Sequence, residues 1–281
     1  MGTVDALLVG LPMIGGTPDK VRAKVQGECV VITGASRGIG REMARRLACV
    51  GARVVGIARS RDILAELQDQ ITSGGGYFHA MVGDLRDFSW AESAGREILV
   101  SHGVPSLVIS NAGHSIHRSL AEYTSRFHDV ERTIGVNYLG AVALTLPLVE
   151  AMMNEGRGHL IAISSTSARF PIPRWSTYTA SKGAYDLWLS CVAPELRVAG
   201  VAVTNVLMPR VVTAMSAPTS GRYPVPELSV NQAADILCRA IVTRQRLVVP
   251  WWVRAASTVA AACPTTVQRA WELALKSGVQ P

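Results

Sequence analysis

Short runs of apolar, often β-branched residues alternate along the chain with longer segments in which apolar residues recur every three to four positions. Between residues 28 and 250 the runs read ECVVIT, ARVVGIA, YFHAMVG, SLVIS, GHLIAIS, VAVTNVL and RLVVP. Nearly continuous apolar runs are typical of strands buried on both faces of a parallel sheet. The helical segments between them predict right-handed βαβ units. The pattern therefore predicts an α/β fold with a doubly wound parallel sheet of about seven strands.

The strand–helix alternation also suggests how the chain is organised. We expect residues 28–249 to form a single domain, preceded by a leader at residues 1–27. Residues 250–281 form an apolar tail, predicted as two short helices split by Pro264. The last helix is amphipathic. That pattern fits packing on the domain, packing on a partner subunit, or contact with a membrane surface.

Charge and cysteine content narrow the functional classes. The net charge is +7 and the pI about 9.5, but the basic residues are scattered and no zinc-finger or RNA-binding signature accompanies them. We therefore expect an anionic cofactor rather than nucleic acid. The five cysteines lack a CxxC pair, and Asp5 stands where a signal peptide would be basic. No stretch reaches the roughly 20 apolar residues of a membrane span. These features predict a cytoplasmic protein, with contact at a membrane surface left open.

Three glycines separate the first predicted strand from the following helix, in the segment TGASRGIG at residues 33–40. Gly34, Gly38 and Gly40 stand where a tight turn lets the backbone approach a pyrophosphate and a helix N-terminus offers free N–H groups. The spacing is GxxxGxG rather than GxGxxG, and a purely structural turn would also fit it. Together with its place after a strand, the segment indicates a dinucleotide site.

The end of the second predicted strand indicates which dinucleotide is bound. A carboxylate there would hold a ribose 2′-hydroxyl, but this chain has Arg59 and Ser60, with no acid before Asp62. Arg37 adds a second guanidinium from the glycine segment. Two guanidiniums and a hydroxyl suit a 2′-phosphate, so the sequence predicts NADP(H) rather than NAD(H).

The segment STYTASKGAYDLW places a phenol and an ammonium on one helix face, because Tyr178 and Lys182 are four residues apart. An adjacent ammonium stabilises a phenolate, so Tyr178 could exchange a proton with a carbonyl or hydroxyl oxygen. Ser165 ends the preceding strand and could hydrogen-bond a developing alkoxide. Taken alone, such a Tyr–Lys pair is more often an ordinary surface pair.

Two further polar positions lie near this predicted site. Asn137 falls within a long helix, where asparagine has poor propensity and usually has a local reason. His114 and His117 follow the NAG element at residues 111–113. Two histidines are too few ligands for a metal, so no metal site is predicted and we expect them to border the substrate mouth.

Taken together, these motifs resemble the short-chain dehydrogenase/reductase family in order and spacing over residues 28 to about 248. They comprise TGASRGIG, Asp84 in GDL, the NAG element, Asn137, Ser165, Tyr178 and Lys182. The resemblance implies a Rossmann-type fold in which Tyr178 is the acid–base and Lys182 lowers its pKa. It implies that Ser165 positions substrate, Asn137 holds a relay water and Asp84 contacts adenine.

The same resemblance implies a larger set of cofactor-binding residues. They come from the glycine segment, the ends of four strands and the catalytic helix: Gly34, Ser36, Arg37, Gly38, Ile39, Gly40, Arg59, Ser60, Asp84, Leu85, Asn111, Ala112, Gly113, Tyr178, Lys182, Pro209, Val211, Val212 and Thr213.

One segment departs from the family pattern. After the sixth strand the family often has PGxVxT, whereas this chain has Arg210 in place of the glycine and Thr213 one residue early. The contact of Thr213 with the nicotinamide carboxamide is therefore in question. The segment LMPRVVTAMSAPT resembles family members that reduce long-chain acyl substrates, including bacterial fatty acyl-CoA reductases. We expect residues 209–228 to form a substrate lid.

The sequence thus predicts an NADP(H)-dependent oxidoreductase that acts on a lipophilic carbonyl, with alcohol oxidation as the reverse reaction. A steroid or polyketide ketone reductase would share every catalytic residue. A cofactor-binding sensor without turnover is an alternative of a different class. The resemblance also implies a homodimer or homotetramer.

Overall fold

The computed structural model describes residues 16–170, 172–219 and 227–278 of the chain. Its centre is a parallel sheet in which the strands are ordered β3-β2-β1-β4-β5-β6-β7. The strands are β1 (Cys29–Thr33), β2 (Arg53–Ala58), β3 (Tyr77–Val82), β4 (Leu107–Ser110), β5 (Gly158–Ser165), β6 (Val201–Met208) and β7 (Leu247–Val248). The predicted doubly wound sheet of seven strands is confirmed.

Helices connect the strands and cover both faces of the sheet. They are α1 (Pro18–Val25), α2 (Gly38–Cys49), α3 (Arg61–Ser73), α4 (Phe88–His102), α5 (Leu120–Tyr123), α6 (Phe127–Ile134), α7 (Gly140–Glu155), α8 (Ser176–Val198), α9 (Val230–Thr243), α10 (Trp251–Ala262) and α11 (Pro264–Lys276). A 3₁₀ turn at Thr166–Arg169 follows β5, and another lies at Ala217–Thr219.

The apolar residues of each strand divide between two cores, because successive side chains point to opposite faces of a sheet. In β1, Val30 and Ile32 pack with α1, α2, α3 and α9. Val31 packs on the opposite face with α4, α7 and α8. Both faces are covered, which explains why the strand sequences are apolar at nearly every position.

Helix α1 lies within residues 1–27, which the sequence suggested as a leader. Val21 and Val25 are buried in the core beneath α9. A side chain at Gly16 would collide with the backbone of Arg239 in that helix. Residues 16–25 are therefore packed as part of the domain, and residues 1–15 lie outside the described part of the chain.

Helices α6 and α7 are joined by a π-helical turn at Gly135–Leu139, which makes one continuous helix from residue 127 to residue 155. By length and composition alone this helix could cross a membrane. Half of its most apolar window is buried within the domain, as is usual for a core helix of an α/β protein.

All seven strands run in the same direction, so their carboxyl ends meet at one edge of the sheet. The glycine segment, Arg59, Asp84, the NAG element and Ser165 each follow or end one of these strands. Ligands of doubly wound sheets bind at this edge. The topology therefore brings together motifs that are up to about 130 residues apart in sequence.

Candidate active site

The glycine segment leaves β1 in a conformation that excludes side chains at two positions. Gly34 and Gly38 have φ angles of +68° and +53°, which favour glycine. A Cβ atom at Gly40 would lie 2.3 Å from the Gly34 carbonyl oxygen and 2.6 Å from Asn111 Nδ2. The segment therefore forms a close-packed turn that presents bare backbone at the start of α2, as a bound pyrophosphate requires.

The NAG element is hydrogen-bonded to the end of β1. Asn111 Nδ2 donates to the carbonyl oxygens of Thr33 and Gly34 at 2.8 and 3.3 Å. The backbone N–H groups of Asn111 and Ala112 both donate to Thr33 Oγ1 at 2.9 Å. Gly113 lies next to the catalytic groups. A Cβ atom at this position would be 3.1 Å from Asn137 Oδ1 and 3.5 Å from Lys182 Nζ.

The residues predicted to distinguish the two dinucleotides lie after β1, β2 and β3. Arg37 and Arg59 are exposed, and Ser60 caps α3 without a side-chain hydrogen bond. Asp84 Oδ2 lies 3.8 Å from Arg59 and 2.5 Å from an Nη atom of Arg86. Burial opposes ionisation of Asp84, but the hydrogen bonds and charge of Arg86, with the charge of Arg59, keep its pKa below the ordinary value. This end of the site has excess positive charge.

Tyr178 lies in the first turn of α8, opposite the end of β5. Burial raises the pKa of Tyr178, and a hydrogen bond with Ser165 partly lowers it again. Ser165 Oγ in turn accepts hydrogen bonds from the N–H and hydroxyl of Ser167, at 3.2 and 2.8 Å. Ser165 and Tyr178 are thus brought together as predicted. Because its pKa lies above the ordinary value of about 10, the phenol is protonated at neutral pH.

Lys182 lies one helical turn further along α8 and is buried. Its Nζ donates to the Ile163 carbonyl oxygen of β5 at 2.9 Å. Burial lowers the pKa of Lys182 to about 8, and the negative charge of Asp186 opposes this shift. Asp186 is itself buried, four residues beyond Lys182, and is 3.6 Å from Arg169 Nε. Lys182 is therefore an ammonium that can lose its proton near the physiological range.

Asn137 lies in the π-helical turn and is almost completely buried. Its Oδ1 accepts from the His114 N–H at 2.7 Å, and its Nδ2 donates to the His114 carbonyl oxygen at 2.9 Å. Nδ2 also lies 2.8 Å from Ser181 Oγ. A π-turn widens the helix locally, and such turns are frequent at functional sites. Asn137 thus joins the segment after the NAG element to α8, next to Lys182.

Both histidines after the NAG element lie beside the catalytic groups. The backbone of His114 contacts Asn137, and burial, with the charges of Arg132 and other arginines, lowers the His114 pKa. The His117 ring packs 5.0 Å from Trp175, whose ring is 5.8 Å from that of Tyr178. Among residues 16–170, 172–219 and 227–278 no group of acidic, histidine or cysteine side chains could hold a metal.

The segment after β6 folds back on itself. Arg210 Nε lies 2.8 Å from Glu227 Oε1, and its Nη2 donates to the Ser216 carbonyl and to Thr219 Oγ1. A parallel bridge pairs Val211 with Leu228. Residues 220–226 of the predicted lid lie outside the described part of the chain. The two described ends of this segment are therefore held together by the residue that replaces the family's glycine.

The remaining predicted cofactor residues also lie at this edge of the sheet, although some of their side chains are buried in the core and do not face the site. Leu85 is buried, and its carbonyl oxygen packs so closely on Gly140 that a Cβ there would lie 1.9 Å away. Ile39 packs on the core, Pro209 and Val211 are buried, and Val212 is half exposed. Any contact that Leu85 makes with a cofactor would therefore come from its backbone.

Sequence reasoning missed several residues that support these groups: Arg86, Trp175, Ser181 and Asp186. For Asp186 a signal was present, because it continues the four-residue spacing of Tyr178 and Lys182 along one helix face. For Arg86 the available signal was its position two residues after Asp84 in the sequence. The hydrogen bond between Ser181 and Asn137 joins residues 44 positions apart and had no local signal.

Comparison with known proteins identifies the family. A sequence profile of the family described as short chain dehydrogenase matches residues 28–223. The chain belongs to this family. Among its short-chain dehydrogenase relatives, a fatty acyl-CoA reductase of Acinetobacter baylyi is 38% identical over 86% of this chain and 82% of its own. A fatty acyl-CoA reductase of Mycobacterium tuberculosis is 34% identical over 80% of this chain and 76% of its own.

A solved structure extends the comparison to the fold. A metagenomic short-chain oxidoreductase, crystallised in complex with NADP, is 28% identical, with a TM-score of 0.68. The match covers 80% of this chain and 97% of that one. The close-packed glycine turn of the present chain leaves the backbone bare at the start of α2, which fits a dinucleotide of the same kind, because a side chain at Gly40 would collide with the Gly34 carbonyl and Asn111. The chain is thus an oxidoreductase of the short-chain dehydrogenase family.

Proposed function

We propose that this protein is an NADP(H)-dependent reductase of lipophilic carbonyl compounds, most specifically long-chain acyl substrates, with alcohol oxidation as the reverse reaction. The observation that carries the reductase assignment is the convergence of Ser165, Tyr178 and Lys182 at the sheet edge that holds the glycine segment. The charge at Arg37 and Arg59 supports NADP(H) over NAD(H). The similarity to two fatty acyl-CoA reductases supports the acyl substrate.

Each catalytic side chain has a distinct role in this proposal. Tyr178 donates the proton to the substrate oxygen, and Ser165 hydrogen-bonds that oxygen as negative charge develops. Lys182 stabilises the phenolate left on Tyr178 by its positive charge. The nicotinamide ring, when bound, supplies the hydride.

The surrounding residues position these groups. Asn137 joins the His114 backbone to Ser181, the residue before Lys182, and the Lys182 ammonium is directed by its hydrogen bond to the Ile163 carbonyl oxygen. Trp175 packs its ring near Tyr178 and, with His117, gives the site an aromatic border.

We further propose a cytoplasmic location for this enzyme. All five cysteines are unpaired, and Cys29 and Cys238 are buried. Buried thiols without disulfide partners suit a reducing compartment.

The deciding experiment measures NADPH oxidation against a series of acyl-CoA thioesters and fatty aldehydes of increasing chain length, together with bulky polycyclic ketones. Mild detergent keeps the substrates dispersed. Rates that rise with acyl length support the proposal. Activity confined to polycyclic ketones would favour a steroid or polyketide ketone reductase, and tight NADPH binding without turnover would indicate a sensor.

The matched control is Tyr178→Phe, which removes one hydroxyl and keeps the ring against Trp175. We expect turnover to fall by at least about 10²-fold, the low end of the range for acid–base catalysis. NADPH binding, measured by fluorescence titration, should remain close to that of the wild type. Wild-type turnover in this variant would contradict the assignment of Tyr178.

A further inference from the structure

The two C-terminal helices form a hairpin that is attached to the domain at one end. Val253 of α10 is buried against Leu207 and Val249, with Phe170 and Trp252 packed around them. Helix α11 contacts α10 and has no buried residue among those described. The hairpin is therefore anchored through the first turn of α10, while most of its length lies outside the domain.

The outer face of α10 is apolar and exposed to solvent. Trp251, Ala255 and Val259 follow one another at four-residue spacing, so they form a stripe along one side of the helix. Trp251 is 65% exposed and Val259 59% exposed. On α11, Leu273 and Leu275 are 67% and 44% exposed. Exposed apolar side chains concentrated in this way mark an interaction surface.

The attachment point lies beside the candidate active site. Helix α10 begins at the carboxyl end of β7, at the same sheet edge as the catalytic residues. Phe170, which packs with Val253, directly follows the 3₁₀ turn that Ser165 begins. Whatever the hairpin binds will therefore lie close to the substrate mouth.

The net charge of the hairpin indicates the kind of surface that it fits. The hairpin carries three basic residues, Arg254, Arg269 and Lys276, against one acidic residue, Glu272. A second copy of the chain would bring the same positive charge to a symmetric contact, which is unfavourable. Anionic lipid head groups supply the opposite charge, and the acyl boundary beneath them accepts the apolar stripe.

We propose that the α10–α11 hairpin binds the surface of anionic lipid bilayers, with Trp251 and Val259 inserted at the boundary of the head groups and Arg254, Arg269 and Lys276 near lipid phosphates. The bound hairpin holds the substrate mouth at the membrane surface. This inference depends on the surface of the hairpin and not on the reaction that the enzyme catalyses.

The test is sedimentation of the full-length protein with vesicles of phosphatidylcholine alone or of phosphatidylcholine mixed with phosphatidylglycerol. We expect binding to the anionic vesicles that weakens as salt is raised. The double variant Trp251→Glu/Val259→Glu should lower binding about tenfold or more, because it removes the inserting side chains and adds two negative charges. Both positions are exposed, so the variant should keep the wild-type melting temperature.

The matched control is Val100→Glu/Val198→Glu. These valines are 88% and 92% exposed on α4 and α8. The control makes the same kind of change and adds the same charge away from the hairpin, and it should bind vesicles within about twofold of wild type. If vesicle binding falls equally in the two double variants, the overall charge of the protein and not the hairpin governs binding. That result would overturn the proposal.

Two other outcomes would also overturn it. One is a wild-type protein that binds neither vesicle composition. The other is a hairpin variant that changes from dimer to monomer in light scattering while its vesicle binding is unchanged, which would identify a second copy as the occupant. The hairpin variant should turn over a short, soluble carbonyl substrate at the wild-type rate. Failure of the proposed reaction would instead appear as absent turnover in the wild type, whatever its vesicle binding.

Discussion

Replacing Asn137 by alanine tests whether this residue connects the catalytic helix to the cofactor-side loop. The side chain is 1% exposed and makes three hydrogen bonds, two to the His114 backbone and one to the Ser181 hydroxyl. The alanine variant loses all three. It also leaves the partly buried N–H and carbonyl oxygen of the His114 backbone without this partner.

The expected loss of stability follows from these contacts. The lost hydrogen bond to Ser181 costs about 1 kcal/mol net, and each of the two His114 backbone groups left unpaired costs about 1.5 kcal/mol, in the lower half of the range for such groups because His114 is only partly buried. For Asn137→Ala we therefore expect a loss of about 4 kcal/mol in the free energy of unfolding. In a chain of this size that corresponds to a melting temperature lower by about 10 °C. Turnover should fall more than about tenfold, because the His114 backbone and Ser181, on either side of Lys182, lose the side chain that joins them.

The assay combines thermal melting by circular dichroism with steady-state rates measured well below the melting temperature. Ser181→Ala is the matched comparison, because it removes one Asn137 hydrogen bond and the bond from the Ser181 hydroxyl to the Tyr178 carbonyl oxygen but leaves the His114 contacts, and it should cost about 2 kcal/mol. An Asn137→Ala variant that melts within about 2 °C of wild type would refute the reasoning. So would a Ser181→Ala variant as unstable as Asn137→Ala, because the His114 contacts would then contribute nothing.

Three further changes test the cofactor site and the proton chemistry. Gly40→Ala should abolish NADPH binding in fluorescence titration, because its Cβ would overlap the Gly34 carbonyl oxygen. Arg59→Asp should lower the NADPH-to-NADH ratio of kcat/KM by about 10²-fold, since it exchanges a guanidinium for a carboxylate where the 2′-phosphate would lie. In the pH profile of reduction, kcat/KM should fall as pH rises through about 8, where Lys182 loses its proton. Asp186→Asn should move this fall to lower pH, because the Asp186 carboxylate raises the Lys182 pKa.

Two control variants and two contradicting outcomes make these three predictions testable. Gly183→Ala, at a helical position where a Cβ would have nothing nearer than 4.0 Å, should leave NADPH binding unchanged. Arg96→Asp, at an exposed position on α4, should leave cofactor preference unchanged. Unaltered preference in Arg59→Asp would mean that a 2′-phosphate is recognised elsewhere. A pH profile that does not move in Asp186→Asn would exclude Lys182 as the group that titrates near 8.

The sheet could be predicted from sequence because its signal is local. Each strand is a short apolar run bounded by polar or glycine-containing segments, and each lies where the pattern put it. The parallel arrangement follows from the helices between the strands, which leave few topologies to consider. The position of the catalytic residues then follows as well, since all the strand ends share one edge.

The supporting contacts could not be predicted in the same way, because they depend on the tertiary structure. The π-helical turn that carries Asn137 has no sequence signal of its own, and its partners come from the loop after β4 and from α8. Helix α1 is short and polar on average, and only its packing beneath α9 explains why Val21 and Val25 are ordered there. In both cases a long-range contact decides the local conformation.

Arg210, which replaces the family's glycine, shows how a long-range contact can change the structure of a sequence motif. The arginine in place of a glycine, with the following threonine one residue early, put the contact of Thr213 with the nicotinamide carboxamide in question. In the structure, the Arg210 guanidinium contacts Glu227 at 2.8 Å and the Ser216 carbonyl oxygen at 3.0 Å, and the segment between them forms a turn. Within that turn, Thr213 Cγ2 lies 3.2 Å from the point where a Cβ of Gly38 would stand. Thr213 therefore lies next to the glycine segment although it comes one residue early, and its contact with the nicotinamide carboxamide stays a prediction.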